Sequence, residues 1–574
     1  MNFCRLIFPG GQARRIIMDT THANLRMAEL LFPHITKTPK DYEALYPQRD
    51  LPQGAMVTRI APSPTGFMHF GNLYGALIDE RLAHQSGGVF YLRIENTDAK
   101  REVEGAVDVI LTSLNAFGLN FDEGATNGED RGIYGPYRQR DRAELYQTIA
   151  KDLVLRGLAY PCFCTEEDLQ ALHEKQEAEG ANFGYYGKWA AHANITVEEA
   201  EKYISEGKPY VVRFRSPGKE ENRIKYKDLA KGEIEMPENC TDIVILKSDG
   251  IPTYHFAHVV DDHFMRTTHV VRGEEWLSTF PYHLQMFEVL GWEKPAYIHT
   301  AHMLKQDGTS KRKLSKRKDP EARLTYYLQE GYPAPAVIEY LMTVLNSNFE
   351  EWRNKNPEAD LNEFRFKAEK MGVAGAVFDI EKLNDISKNI ISRMTGEEVY
   401  EATERWAKEY NPEFHRLLTR NPEYSKAILS IGRGGKKPRK DFTVWSDVPH
   451  YMAFFFEETF ETDYPFPETM SKGDIVRVLK EYPEAYYDTD DDQQTWFGKV
   501  KELTDAMGYA VDMKAYKADP AAFPGSVADI SAVLRVAVTG RTASPDTYAV
   551  MNILGKDTVL ARLKKAAEAL ETKD

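Results

Sequence analysis

Hydrophobic and polar positions change rhythm along this chain, and each change marks an element. From Met56 the run MVTRIAPSP is mostly apolar and then meets Pro62 and Pro64, which predicts a buried strand ended by residues that cannot continue a ladder. The next stretch, TGFMHFGNLYGALIDERLAHQ, places Leu73, Ala76, Leu77 and Leu82 at helical spacing. GGVFYLRIEN then supplies turn glycines and a second strand. Strand, glycine-bearing turn, helix and strand within about forty residues make a βαβ unit, so the fold is α/β with a parallel sheet.

The rhythm sets approximate boundaries elsewhere. Residues 1–55 mix basic, apolar and proline-containing stretches and read as an N-terminal extension. Residues 56–155 form the first half of the sheet domain. An insertion, 156–240, carries YPCFCTEEDL, a charged helical stretch and the strand-like PYVVRFRSP. A second α/β segment, 241–325, contains IVILKSDGIPTYHFAHVVDDHF and THVVRGEEWL. Residues 326–430 are helix-rich. The glycine- and lysine-rich IGRGGKKPRKDF opens a last helical region, 431–574.

Composition narrows the class. A chain of 574 residues suggests about four domains. The net charge of −15, from 73 basic and 88 acidic residues, speaks against a protein that merely coats nucleic acid. RNA contact here needs local basic patches, of which 311–318 and 433–440 are candidates, with Tyr424, Phe442 and Trp445 as candidates for stacking on bases. Four cysteines (Cys4, Cys162, Cys164 and Cys240) are no disulfide framework and fit a reducing compartment. No stretch approaches the ~20 apolar residues that span a bilayer, so no membrane partner and a cytoplasmic location are expected.

Two segments invite phosphate chemistry. In Arg59-Ile60-Ala61-Pro62-Ser63-Pro64-Thr65-Gly66-Phe67-Met68-His69-Phe70-Gly71-Asn72, a histidine and a glycine sit where a strand hands over to a helix N-terminus. That end carries free N–H groups and partial positive charge. Lys311-Arg312-Lys313-Leu314-Ser315-Lys316-Arg317-Lys318 puts six basic residues into eight, enough to hold a polyphosphate. Taken alone, a proline-rich turn and a solvated basic loop explain them as well. A third segment, Gly250 to His263 followed by VRGEEW, offers three histidines and two aspartates; its alternation with apolar residues argues against a metal.

Together the three segments resemble glutamyl-tRNA synthetases of the bacterial type, a class I family. The first is similar to the "HIGH" element, and Lys313-Leu314-Ser315-Lys316-Arg317 to the "KMSKS" loop. The resemblance implies a Rossmann-type catalytic domain, an inserted acceptor-stem-binding domain at 156–240, a helical stem-contact domain and a C-terminal all-α anticodon-binding region. It implies L-glutamate, ATP with Mg²⁺ and tRNA(Glu) as substrates. Arg59, Ala61, Ser63, Glu95, Tyr254, His258 and Arg272 would bind glutamate. His69, Gly71, Asn72, Glu275, Trp276 and Lys316 would bind ATP, with His69, Gly71, Lys313 and Lys316 acting in catalysis. A monomer is expected.

Departures are few. His258 stands where the family often has asparagine, and Asn96 replaces an aspartate in Arg93-Ile94-Glu95-Asn96-Thr97-Asp98. Cys162 and Cys164 resemble the first half of a zinc knuckle, but YYGKWAAH, where the second half falls, has no cysteine. A structural zinc needs four ligands, so no zinc is expected. A non-catalytic tRNA-binding relative would have lost His69, Lys316 or the pocket arginines, all present. Whether tRNA(Gln) is charged as well is left open by the sequence.

Overall fold

The computed structural model describes residues 10–572 apart from Phe67 and Lys316. Two compact units divide the chain: Met1–Tyr326 with Ile338–Asp379, and Tyr327–Val337 with Ile380–Asp574.

The first unit starts with helices α1 (Gly10–Leu31) and α2 (Pro39–Leu45). Strand β1 (Val57–Ile60), helix α3 (Phe70–Gln85) and strand β2 (Val89–Leu92) form the expected βαβ unit, paired in parallel with Arg59 opposite Tyr91. Leu73, Ala76, Leu77 and Leu82 are all buried, as their spacing predicts. After α4 (Ala106–Asn115), the two-residue β3 (Glu123–Gly124) extends the sheet beyond β2. Helix α5 is Ala143–Leu155.

The chain then leaves the sheet. Strand β4 (Ala159–Cys162), helices α6 (Glu166–Ala178) and α7 (Val197–Ser205), β5 (Val211–Phe214), the β6–β7 hairpin (Arg223–Asp228, Gly232–Pro237) and β8 (Val244–Leu246) follow. Strands β4, β5 and β8 make an antiparallel sheet of their own. The apolar VIL of β8, read as part of a second α/β segment, thus belongs to the insertion. A strand buried on both faces carries no mark of its partner's direction.

Helix α8 (Tyr254–Phe264), β9 (His269–Gly273), α9 (Phe280–Leu290) and β10 (Ala296–Thr300) return to the parallel layer, with Arg272 opposite His299. Thr268 N–H donates to the Val57 carbonyl at 3.0 Å, so β9 starts beside β1 and the strands run β3-β2-β1-β9-β10. The winding direction reverses between β1 and β9. Crevices form at such a switch, outside the strands' carboxyl ends. A final hairpin, β11 (Leu304–Asp307) and β12 (Ser310–Lys313), turns through Gly308 at φ +59°, a left-handed conformation that glycine adopts without strain.

The N-terminal extension is bound to this unit. Arg49 forks onto Glu123 at 2.8 and 3.0 Å and donates to the Met265 carbonyl, while Arg266 donates to the Tyr46 carbonyl and Glu43. The second unit is helical, and the described residues from 380 on contain no strand. Its core includes Phe442 and Trp445 at 2 and 7 % exposure, and Tyr424 packs on it and donates to the Phe455 carbonyl. These three rings, candidates for stacking on bases, are structural. Arg433 likewise serves the fold, donating to the Ile391 and Met394 carbonyls. Lys436, Lys437 and Lys440 remain exposed.

Candidate active site

Strands β1 and β9 end side by side, and each puts an arginine one residue before its end. Arg59 donates to both carboxylate oxygens of Asp262, at 3.2 and 3.4 Å. Arg93, fully buried, donates to the same aspartate at 2.6 Å and to Glu95 at 3.3 Å. One residue back on α8, Asp261 accepts from Arg142 at 2.7 Å, Gln139 at 2.9 Å and Tyr146 at 2.8 Å. Burial alone would raise the Asp262 carboxyl; the Arg59 and Arg93 guanidiniums outweigh it and hold it below its usual range. Two buried carboxylates therefore answer three guanidiniums. Leaving one charge unpaired in such a place is costly, so the network fixes its members.

These are the two aspartates that first suggested a metal; they hold arginines instead. The sequence reading missed Asp262, Arg93 and Arg142 as supports. Their only signal was the Asp-Asp pair in a helix otherwise apolar on that face.

Arg272 differs. It donates from Nε to His299 Nε2 at 3.0 Å and from Nη1 to His283 Nδ1 at 2.9 Å, and lies over the Phe280 and Tyr297 rings. His258 is fully buried behind the two arginines. Its Nδ1 is 3.3 Å from both Arg59 Nη2 and Asp262, and its Nε2 meets the Tyr297 hydroxyl at 2.9 Å. It was expected to touch substrate and does not line the cavity: one turn beyond Tyr254 on the same face of α8, it lies deeper, beneath Arg59. Burial, with the neighbouring guanidiniums, keeps this imidazole neutral.

A cavity of about 440 Å³ opens above. Its walls include Arg59, Ala61, Ser63, Glu95, Tyr254 and Arg272 on the sheet side. His69, Gly71, Asn72, Glu275, Trp276 and Lys313 line it too. Every proposed site residue is thus gathered at one place except His258, behind the wall, and Lys316, outside the described residues. Asp79, Tyr74 and His302 also line it and were not foreseen. Tyr254 stacks on Trp276, ring centroids 4.2 Å apart. Burial pushes the Glu95 carboxyl up to about 6 despite the nearby Arg93 and Arg59 charges.

His69 caps α3. Its Nδ1 accepts from Gly71 N–H at 2.8 Å, which leaves the proton on Nε2 as a donor. A Cβ on Gly71 would lie 3.0 Å from that Nδ1, so the glycine makes room for the ring as well as exposing backbone. Opposite, the basic loop closes on a residue the sequence reading missed. Asp319 accepts Arg312 at 2.6 and 2.8 Å and Ser315 N–H at 2.9 Å. Arg312 is therefore bound within the loop, whereas Lys313 reaches the cavity, 3.5 Å from His302.

A second cluster lies in the insertion. Cys162, Cys164 and His192 bring their ligand atoms within 4.8 Å of one another. His192 Nδ1 is 3.8 and 3.4 Å from the two sulfurs; the Tyr185 hydroxyl is 3.4 and 3.5 Å from them and 3.5 Å from Nδ1. The expectation of no zinc counted two cysteines. Four donor atoms converge here, because YYGKWAAH supplies a phenol and an imidazole where cysteines were sought.

A profile of tRNA synthetases class I (E and Q), catalytic domain, matches residues 55–385, and one of an anticodon binding domain matches residues 525–567. The glutamate–tRNA ligase of Acetivibrio thermocellus is 52 % identical over 541 residues, 94 % of this chain and 99 % of its own length. That of Clostridium perfringens strain SM101 is 50 % identical over 545 residues, covering 94 and 98 %. The crystal structure of a glutamate tRNA ligase from Elizabethkingia meningosepticum in complex with its amino acid superposes with a TM-score of 0.74 at 28 % identity, over 90 % of this chain and 99 % of that one. With a catalytic profile over most of the first unit and relatives at half identity along nearly the whole length, the chain belongs to the class I tRNA synthetases, in the glutamate–tRNA ligase family.

Proposed function

We propose that this protein activates L-glutamate with ATP and esterifies it to tRNA(Glu). The observation that carries the reading is one cavity with buried guanidiniums at one end and a helix N-terminus with His69 and Lys313 at the other. Glutamine has the shape of glutamate with a neutral amide in place of the carboxylate. A site that pairs a charge rejects the neutral analogue, because its own guanidinium is then left desolvated and unmatched.

In this reading Arg59, Arg272 and Tyr254 face the side-chain carboxylate, and Ala61 and Ser63 shape the pocket. Glu95 receives the α-ammonium. His258 acts through Arg59. ATP, entering with Mg²⁺ as part of the substrate, lies along His69, Gly71, Asn72, Glu275 and Trp276. The α-carboxylate attacks the α-phosphorus, a C–O–P linkage forms and pyrophosphate leaves. His69 Nε2–H, the α3 N-terminus, Lys313 and Lys316 stabilise the phosphate charge. The nucleophile is already ionised, so positioning and electrostatics do the catalysis. The terminal adenosine's 2′-hydroxyl then displaces AMP from the carbonyl carbon.

The insertion contacts the acceptor stem, the second unit reads the anticodon, and the enzyme works as a cytoplasmic monomer. Cys162, Cys164 and His192, with the Tyr185 hydroxyl beside them, would hold one zinc. Donor atoms around a tetrahedral zinc, bonded at roughly 2.0–2.3 Å, stand about 3.3–3.8 Å apart, the spacing seen here. The metal supplies cross-linking of the insertion and no chemistry. Metal analysis of chelator-free protein is expected to give one zinc per chain; zinc-free protein would overturn it.

The function is tested by aminoacylation of purified tRNA(Glu) and tRNA(Gln) with labelled glutamate and glutamine. Glutamylated tRNA(Glu) is the expected product. Its absence, with tRNA still bound, would leave a binding protein; glutamylated tRNA(Gln) would widen the tRNA range.

A further inference from the structure

The two cavity arginines are held by opposite kinds of partner. Arg59 is ion-paired with Asp262, which it shares with Arg93. Arg272 has no ion pair among the described residues: its two hydrogen-bond partners are imidazoles, and its Nη2 is buried with no hydrogen-bond partner, in a side chain that lines the cavity.

Arginine can only donate, so both facing ring nitrogens must accept, and this fixes the tautomers behind them. His299 then carries its proton on Nδ1 and donates to Asp228 at 2.7 Å. Asp228 is itself anchored by the Ala230 and Lys231 N–H groups at 2.9 and 2.8 Å. His283 carries its proton on Nε2 and donates to His255 Nδ1 at 3.0 Å. A relay runs His255–His283–Arg272–His299–Asp228, with its one carboxylate a full imidazole away from the guanidinium.

We propose that His283 and His299 are positioning residues for amino-acid recognition: as neutral acceptors they aim Arg272 while leaving its positive charge for the substrate's side-chain carboxylate. This rests on the glutamate specificity proposed above. Aspartate or glutamate in the same places would hold the guanidinium as firmly, as Asp262 holds Arg59. Each would also cancel the charge that separates glutamate from glutamine. Orientation without neutralisation requires an uncharged acceptor, and imidazole is a rigid one.

The test compares full-length wild type with H283Q, H283L, H283E, H299Q and H299L in tRNA aminoacylation at varied glutamate, with thermal melts as folding controls. H283Q and H299Q keep a neutral acceptor, and their KM for glutamate should stay within about threefold of wild type. H283L and H299L lose it and should raise that KM about tenfold at nearly unchanged saturating kcat. H283E should raise it about a hundredfold, and should narrow the preference for glutamate over glutamine. Equal KM in H283Q and H283E, or in the glutamine and leucine pairs, overturns the proposal; the leucine pairs decide it if H283E does not fold. Wild type that fails to charge glutamate would instead overturn the functional reading.

Discussion

The two ends of the cavity are built on different physical plans. At the amino-acid end the charged groups are buried and interlocked: Arg93, Asp261 and Asp262 are at 0, 0 and 1 % exposure and Arg59 at 4 %. At the phosphate end the cations sit on a short, largely exposed hairpin and the turn after it, where Asp319 ties Arg312 to Ser315. The difference follows from what each end must read. Telling a carboxylate from an amide is a matter of one charge, and it needs low dielectric and fixed geometry to be worth several kcal/mol. A triphosphate carries several charges and is gripped well by solvated cations. On the proposed function, specificity belongs to the folded core and the phosphate chemistry to a loop upon it.

The sharpest break of this comparison is kinetic. Lys316→Ala, made on the strength of the sequence motif, should cut adenylate formation by about 10²–10³, the cost of one lost transition-state donor. Glutamate binding should survive, because the carboxylate end is untouched. Pyrophosphate exchange at saturating glutamate reads the first effect and isothermal titration the second. Near-normal exchange would remove Lys316 from the phosphate end altogether.

Stability should divide along the same line. Asp262→Asn leaves Arg59 and Arg93 without their shared counter-charge, and breaking a buried pair in this way costs about 3–5 kcal/mol. Lys311→Ala and Lys313→Ala, on the exposed hairpin, should change stability by less than about 0.5 kcal/mol. Denaturant unfolding of the three variants measures this directly. Equal losses would show that the buried network is no more structural than the loop.

Much of this was legible in the sequence. Local patterns announced β1, α3 and β2, because a strand–proline–helix hand-over depends on neighbours in the chain. The cavity's residues followed from three segments and from the family resemblance that they carry. What stayed hidden depends on distant pairing. Nothing in VIL tells β8 to join β5 instead of the parallel sheet. Nothing in His283 or His299 shows that they meet on Arg272, since one lies on α9 and the other on β10. Tyr185 and His192 were in view, but a search for cysteines passed over a phenol and an imidazole. His258, read as a contact, is a support: it shares a helix face with Tyr254, but one turn deeper it is enclosed by Arg59, Asp262 and Tyr297.

The gentlest test lies between the two ends, at Glu95. Burial pushes its carboxyl up to about 6, outweighing the adjacent guanidiniums. Only the carboxylate attracts an α-ammonium, so kcat/KM for glutamate should be flat above this pH and fall about tenfold per unit below it, since that ratio reports groups of the free enzyme. Glu95→Gln should lower the plateau and abolish the limb. Stability has the opposite sign. A carboxyl raised in the folded state favours folding below its unfolded value of 4.5, and that advantage disappears as pH rises through about 6. At pH 7.5 the wild-type carboxylate therefore costs on the order of 2 kcal/mol, and Glu95→Gln should melt no lower, and by up to several degrees higher. The gap should close toward pH 4.5. A variant less stable at pH 7.5 with the acid limb intact would mean that Glu95 belongs with Asp262 as a structural anion, and that the amino-acid end keeps no carboxylate for its substrate.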